Sequence, residues 1–140
     1  MLPGFRPEAG AAGWTVSNPA VFSAAPLAAS LRLFDRAGMP ALRKKSEHLT
    51  RWLERCLQIQ CKDLLEIVTP AAPASRGAML TIRPRPGGGQ AAAPLLARLE
   101  QRGLIADARG DWIRITPAPF FNSYAECLTG AELLRRELTD

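Results

Sequence analysis

Two short stretches put polar groups where chemistry could be done. In Trp112-Ile113-Arg114-Ile115-Thr116, two-residue alternation sends Ile113 and Ile115 to one face of a strand. Trp112, Arg114 and Thr116 go to the other. An arginine inside a short apolar strand needs a solvated face or a partner. Alternatively, it is a guanidinium held rigidly to bind a carboxylate through two parallel hydrogen bonds. The second stretch is Ser17-Asn18-Pro19. Proline keeps Asn18 extended and suits the first position of a helix. Asn18 is therefore expected to cap a helix starting at Pro19. Such a helix start can serve as a cap alone. It can also present an amide and a positive dipole end to an anionic ligand.

The remaining reactive residue types make no recognisable constellation. His48, the single histidine, follows Glu47 inside a helical stretch with no Ser, Cys or Asp partner in view. Cys56, Cys61 and Cys127 form no CxxC pair, and a zinc site of about four N/S ligands would need all three plus His48. They are expected to be reduced packing residues, which suits a cytoplasmic protein. No metal site is expected. Lys44, Lys45 and Lys62 are the only lysines, and they have polar neighbours. A Schiff-base lysine needs burial or a neighbouring cation to lower its pKa; Lys44 and Lys45 supply cations but no burial. Gly87-Gly88-Gly89 lacks the Lys-Ser/Thr of a phosphate loop and reads as a flexible turn. No catalytic residue is assigned.

The elements that must position Asn18 and Arg114 follow from periodicity. A helix is expected from Pro19 to about Ala37, with Leu27, Leu31 and Phe34 as its buried stripe and Gly38 as its stop. A second runs from about Pro40 to Gln60, with Leu42, Leu49, Leu53 and Leu57 on one face. The period then changes to two. Strands are expected near residues 65–69, 78–83, 104–108 and 112–116, the last two joined by a hairpin over Arg109-Gly110-Asp111. A third helix lies between, at Gln90–Arg102, stopped by Gly103. A fourth follows Ser123, with Glu126 completing a capping box. Cys127, Ala131, Leu134 and Leu138 form its apolar face. This order predicts an α+β fold: a small, mostly antiparallel sheet of about four strands covered by helices.

Composition agrees with a folded domain. The 140 residues are 47% hydrophobic and 22% charged, enough for a core without disorder. The net charge of +5 is spread along the chain, and its densest run, Arg43-Lys44-Lys45, has no interleaved aromatics. That argues against nucleic acid as a partner. No apolar run approaches the roughly 18 residues of a membrane span, and the start Met1-Leu2-Pro3-Gly4-Phe5-Arg6 has no apolar signal core.

At these residues the chain resembles one family. Gly13-Trp14-Thr15-Val16-Ser17-Asn18-Pro19 is similar to the segment that leads from the large to the small domain of kynureninases. The similarity continues through Leu31–Met39, Leu42–Ser46, Ile67–Pro70, Arg76-Gly77 and Leu99–Gly103. It ends with Ile113–Pro119 and Phe121-Asn122-Ser123. The blocks keep the family's order across nearly the whole chain.

The resemblance implies the C-terminal small domain of a fold-type-I, pyridoxal-phosphate-dependent enzyme. Residues 1–19 would be a lead-in segment from a missing large domain and residues 20–140 the small domain. The complete enzyme would be a cytoplasmic homodimer of tryptophan catabolism. It would hydrolyse L-kynurenine, or 3-hydroxykynurenine, to anthranilate, or 3-hydroxyanthranilate, and L-alanine. Asn18 matches the asparagine lining the cofactor and substrate pocket, and Arg114 the arginine that binds the substrate's α-carboxylate. The Schiff-base lysine and the phosphate-binding loops map to no part of this chain, so alone it is expected to be inactive. Ala20 stands where the family usually has a second proline, and Phe121 where it has a tyrosine, which puts any role of that hydroxyl in doubt. Two other readings remain open: a non-catalytic interaction module with this fold, and the small domain of another fold-type-I lyase or desulfurase.

Overall fold

The computed structural model describes residues 4, 6–15, 17–18, 20–85 and 92–139. The chain separates into two compact units, residues 1–39 and 40–140.

In the first unit a 3₁₀ turn, Gly10–Trp14, precedes helix α1, Val21–Ala37. The expected helix start is corrected. Ala20 is the N-cap, its carbonyl accepting from Ser23 and Ala24, and no side chain caps the helix. Asn18 lies too far upstream, because a side-chain cap must directly precede the first helical residue to reach its free N–H groups. Pro19 falls outside the described residues. The stripe is corrected as well: Leu27, Leu31 and Phe34 share a face, but all three are exposed and α1 buries no residue. Periodicity identifies an apolar face; burial also requires a surface to cover it.

The second unit holds helices α2 (Met39–Gln60, whose first residue closes the first unit), α3 (Ala92–Gln101) and α4 (Tyr124–Thr139). Its strands are β1 (Leu65–Ile67), β2 (Leu80–Pro84), β3 (Asp107–Arg109) and β4 (Trp112–Ile115). They form one antiparallel sheet in the order β1-β2-β4-β3. The α+β expectation holds.

Alternation divides the sheet cleanly. Leu65, Leu80, Ile82 and Ile113 point inward and are buried together with Leu49, Leu53 and Leu57 of α2, Leu95 and Leu99 of α3, and Leu134 of α4. All three helices thus pack on one face of the sheet. The other face carries Glu66, Arg83, Thr81, Arg114, Asp107, Trp112 and Arg109, the intervening residues of each strand.

All four strands are shorter than expected, β1 and β3 the most, and those two for local reasons. The β1–β2 ladder gives way to a side chain where the Thr81 N–H donates to Thr69 Oγ1 at 2.7 Å. At the end of α3, Leu104 N bonds back to Leu99 O and Gly103 N to Glu100 O, with Gly103 at φ +87°. This is a Schellman closure, which favours glycine at the left-handed position. Leu104 is used in ending the helix, so β3 starts only at Asp107.

The fourth helix has the capping box its sequence announces. The Ser123 N–H donates to Glu126 Oε2 at 2.6 Å, and the Glu126 N–H donates to Ser123 Oγ at 3.2 Å. Ser123→Ala is expected to cost about 1 kcal/mol in chemical denaturation. A change within about 0.3 kcal/mol would show that the cap contributes nothing. The bonds from Ser123, backbone first and then side chain, hold the Glu126 carboxyl below its usual range. A depressed folded pKa gives stability that is present above the unfolded value of about 4.3 and is lost as pH falls through the folded one. The difference in stability between the natural chain and Glu126→Gln should therefore shrink as the solution is acidified below about pH 4.

Candidate functional site

Arg114 sits on the face of the sheet that the helices leave uncovered. Strand β4 is central, paired with β2 through Thr81↔Arg114 and with β3 through Asp107↔Arg114. The expected division of side chains is observed: Ile113 is buried, Ile115 packs against the core, and Trp112 and Thr116 are exposed. A central strand gives Arg114 a rigid base.

The guanidinium has a partner within the chain. Nη2 of Arg114 donates to Oδ2 of Asp107, and Nε of Arg109 lies 3.6 Å from the same oxygen. Nε of Arg114 is buried and makes no hydrogen bond. The hydrogen bond from Arg114, foremost, and the positive charges of Arg109 and Arg114 hold the Asp107 carboxyl below its usual range despite some desolvation. The pair is partly exposed, with side-chain accessibilities of 31% for Arg114 and 48% for Asp107. Two guanidinium groups around one carboxylate leave one net positive charge, so the cluster still attracts an anion.

Sequence reasoning missed Asp107, although a signal was present. The hairpin turn is two residues long, Gly110-Asp111, since Arg109 already pairs with Trp112. Gly110, at φ +58°, occupies the first central position, where a type II′ turn calls for glycine. That turn sets the register and brings residue 107 opposite residue 114.

Asn18 belongs to the first unit, where it is exposed and caps no helix. Its amide is thus not used in the role that its position before Pro19 suggested.

A groove of about 690 Å³ lies beside α4, with Ile115, Thr116, Phe121, Asn122, Gly130 and Leu133 among its lining. Ile115 faces the helices, so this groove lies on the opposite side of β4 from Arg114. It is mostly apolar; of the reactive groups in its lining, the Glu126 carboxylate is taken up by Ser123 and Cys127 is buried.

The other candidates are inert or exposed. All three cysteines are free and buried. Burial pushes the thiols of Cys61 and Cys127 up to about 11, and also raises that of Cys56. Protonated at neutral pH, they are poor nucleophiles. His48 is exposed on α2. The described residues contain no cluster suited to a metal ion. Lys44, Lys45 and Lys62 are all exposed, and Nζ of Lys45 donates to the Pro119 carbonyl.

The fold and site thus define a two-layer α+β domain with an arginine-centred, anion-attracting patch on its uncovered sheet face. The kynureninase C-terminal domain family matches residues 42–134. Among curated relatives, the kynureninase of Xanthomonas campestris pv. campestris is 49% identical over 127 residues, covering 90% of this chain and 30% of that protein. The kynureninase of Xanthomonas euvesicatoria pv. vesicatoria is 47% identical over 133 residues, covering 94% and 31%. That of Xanthomonas oryzae pv. oryzae is 46% identical over 130 residues, covering 92% and 30%. This chain belongs to the kynureninase family and corresponds to its C-terminal domain. It spans about 30% of the length of the curated relatives it matches.

Proposed function

We propose that this chain is the C-terminal part of an enzyme that hydrolyses L-kynurenine or 3-hydroxykynurenine. The products are anthranilate or 3-hydroxyanthranilate, and L-alanine. In that reaction the bond between the side-chain carbonyl carbon and the β-carbon breaks. Water supplies a hydroxyl to the carbonyl carbon, and the β-carbon takes up a proton.

Arg114 binds the substrate's α-carboxylate, and its place on β4 fixes the direction from which the substrate presents itself. The observation that carries this reading is a partly exposed guanidinium on a central strand, on the sheet face opposite the core. Asn18, its side chain not committed to a helix cap, contributes an amide to the pocket that holds substrate and cofactor.

Pyridoxal phosphate supplies the electron sink when it is bound. Exposed lysines do not fit its covalent attachment, so the attaching lysine and the phosphate-binding loops are assigned to the rest of the polypeptide. The complete enzyme is a homodimer in the cytoplasm; three free, buried cysteines suit a reducing compartment.

The test uses pyridoxal phosphate and borohydride. The 140-residue chain alone should give no stoichiometric adduct at a single lysine and no hydrolysis of L-kynurenine. Joined to the preceding part of the Xanthomonas campestris kynureninase, it should form the adduct and turn over L-kynurenine. An adduct with turnover in the chain alone, or a folded chimera that binds the cofactor but leaves both L-kynurenine and 3-hydroxykynurenine intact, would overturn the proposal.

A further inference from the structure

We propose that Asp107 is a positioning residue: its carboxylate holds one edge of the Arg114 guanidinium so that the remaining edge receives a ligand's carboxylate. The inference rests on the carboxylate-binding role of Arg114 proposed above and adds a second residue to it.

The geometry supports it at each step. Asp107 and Arg114 are direct cross-strand neighbours, so the two-residue turn at Gly110-Asp111 dictates their apposition. Their bond uses Nη2 of Arg114. A guanidinium carries five N–H donors in a fixed planar fork, so fixing one nitrogen fixes the directions of the others. Nε is buried without a partner, which leaves the fork short of acceptors.

A stabilising role alone does not explain the pair. Asp107 is half exposed, and pairs this open contribute little to folding. Arg109, near the same carboxylate, keeps the cluster's charge at one net positive. Asp107 can therefore orient Arg114 without repelling an incoming anion.

The chimera of this chain with the preceding part of the Xanthomonas campestris kynureninase provides the test, with whichever of L-kynurenine and 3-hydroxykynurenine it turns over. Asp107→Asn should lower kcat/KM about fivefold or more, because the guanidinium loses its fixed direction, while the thermal midpoint stays near that of the unsubstituted chimera. In an Arg114→Ala background the same substitution should cost nothing further, because no guanidinium is left to position. If Asp107→Asn leaves kcat/KM unchanged or raises it, or lowers only the thermal midpoint, the positioning role is wrong and the role of Arg114 stands. If Arg114→Ala itself leaves kcat/KM unchanged, the carboxylate role of Arg114 fails and Asp107 has nothing to position.

Discussion

Replacing Arg114 with alanine in the complete enzyme is expected to lower kcat/KM for L-kynurenine by roughly one to two powers of ten. Hydrogen bonds to charged groups contribute about 1.5–3 kcal/mol, and that loss converts directly into kcat/KM. Misorientation of the substrate would add to it. Arg114→Lys should recover only part of the activity, because a lysine ammonium is a point charge without the planar fork. Folding should be nearly unaffected. Arg114 lies outside the packed face of β4, and its ion pair with Asp107 is partly exposed. Steady-state kinetics and thermal unfolding of the same variants separate the two effects. If Arg114→Ala unfolds the second unit while the folded fraction keeps its catalytic constants, the residue is structural and the carboxylate role is wrong.

Replacing Arg76 with alanine is expected to have the larger effect on stability. The long connection from β1 to β2 is tied down by Arg76, whose side chain is only 4% exposed and whose Nη2 meets Glu54 of α2 at 2.7 Å. Glu54 is itself only 12% exposed. Arg43 of α2 reinforces the tie by donating to the carbonyls of Pro73 and Arg76 at 2.7 and 3.1 Å. Arg76→Ala leaves a nearly buried carboxylate without its counter-charge. Breaking a buried pair in this way costs about 3–5 kcal/mol, a large share of the roughly 5–15 kcal/mol that holds a domain folded. Replacing both partners with apolar residues, Arg76→Met with Glu54→Leu, should restore much of the stability, because neither charge is then left unpaired. Chemical denaturation of the single and double variants checks both statements. A loss below about 1 kcal/mol for Arg76→Ala would mean that the pair behaves like a surface contact.

Much of the fold is legible because its signals are local. The α2 stripe through Leu42, Leu49, Leu53 and Leu57 is buried as its spacing requires. The Ser123–Glu126 box caps α4, and Gly103 ends α3. The alternation that puts Arg114 opposite Ile113 and Ile115 also survives intact. Each depends on a few neighbouring residues: the period of an element, the oxygen of a cap, or the backbone freedom of one glycine.

The failures have different causes. Asn18-Pro19 looked like a helix start, but α1 starts at Val21 with Ala20 as its cap. The apolar stripe of α1 is real as a pattern and remains exposed. The partner of Arg114 depended on the hairpin register, and a three-residue loop was expected where two residues make the turn. The Arg76–Glu54 tie joins residues 22 positions apart that carry no pairing signal of their own.

By itself, then, the sequence determined the helices, the strands and the outward face on which Arg114 stands, because periodicity and capping are short-range. Only the tertiary structure decided that Asp107 meets that guanidinium and that Glu54 and Arg76 leave water together. Those outcomes depend on register and on which groups lose solvent when distant segments meet. A one-residue slip reverses the faces of a strand, so a local pattern announces such a meeting only where a turn pins the register, as Gly110 does for Asp107 and Arg114.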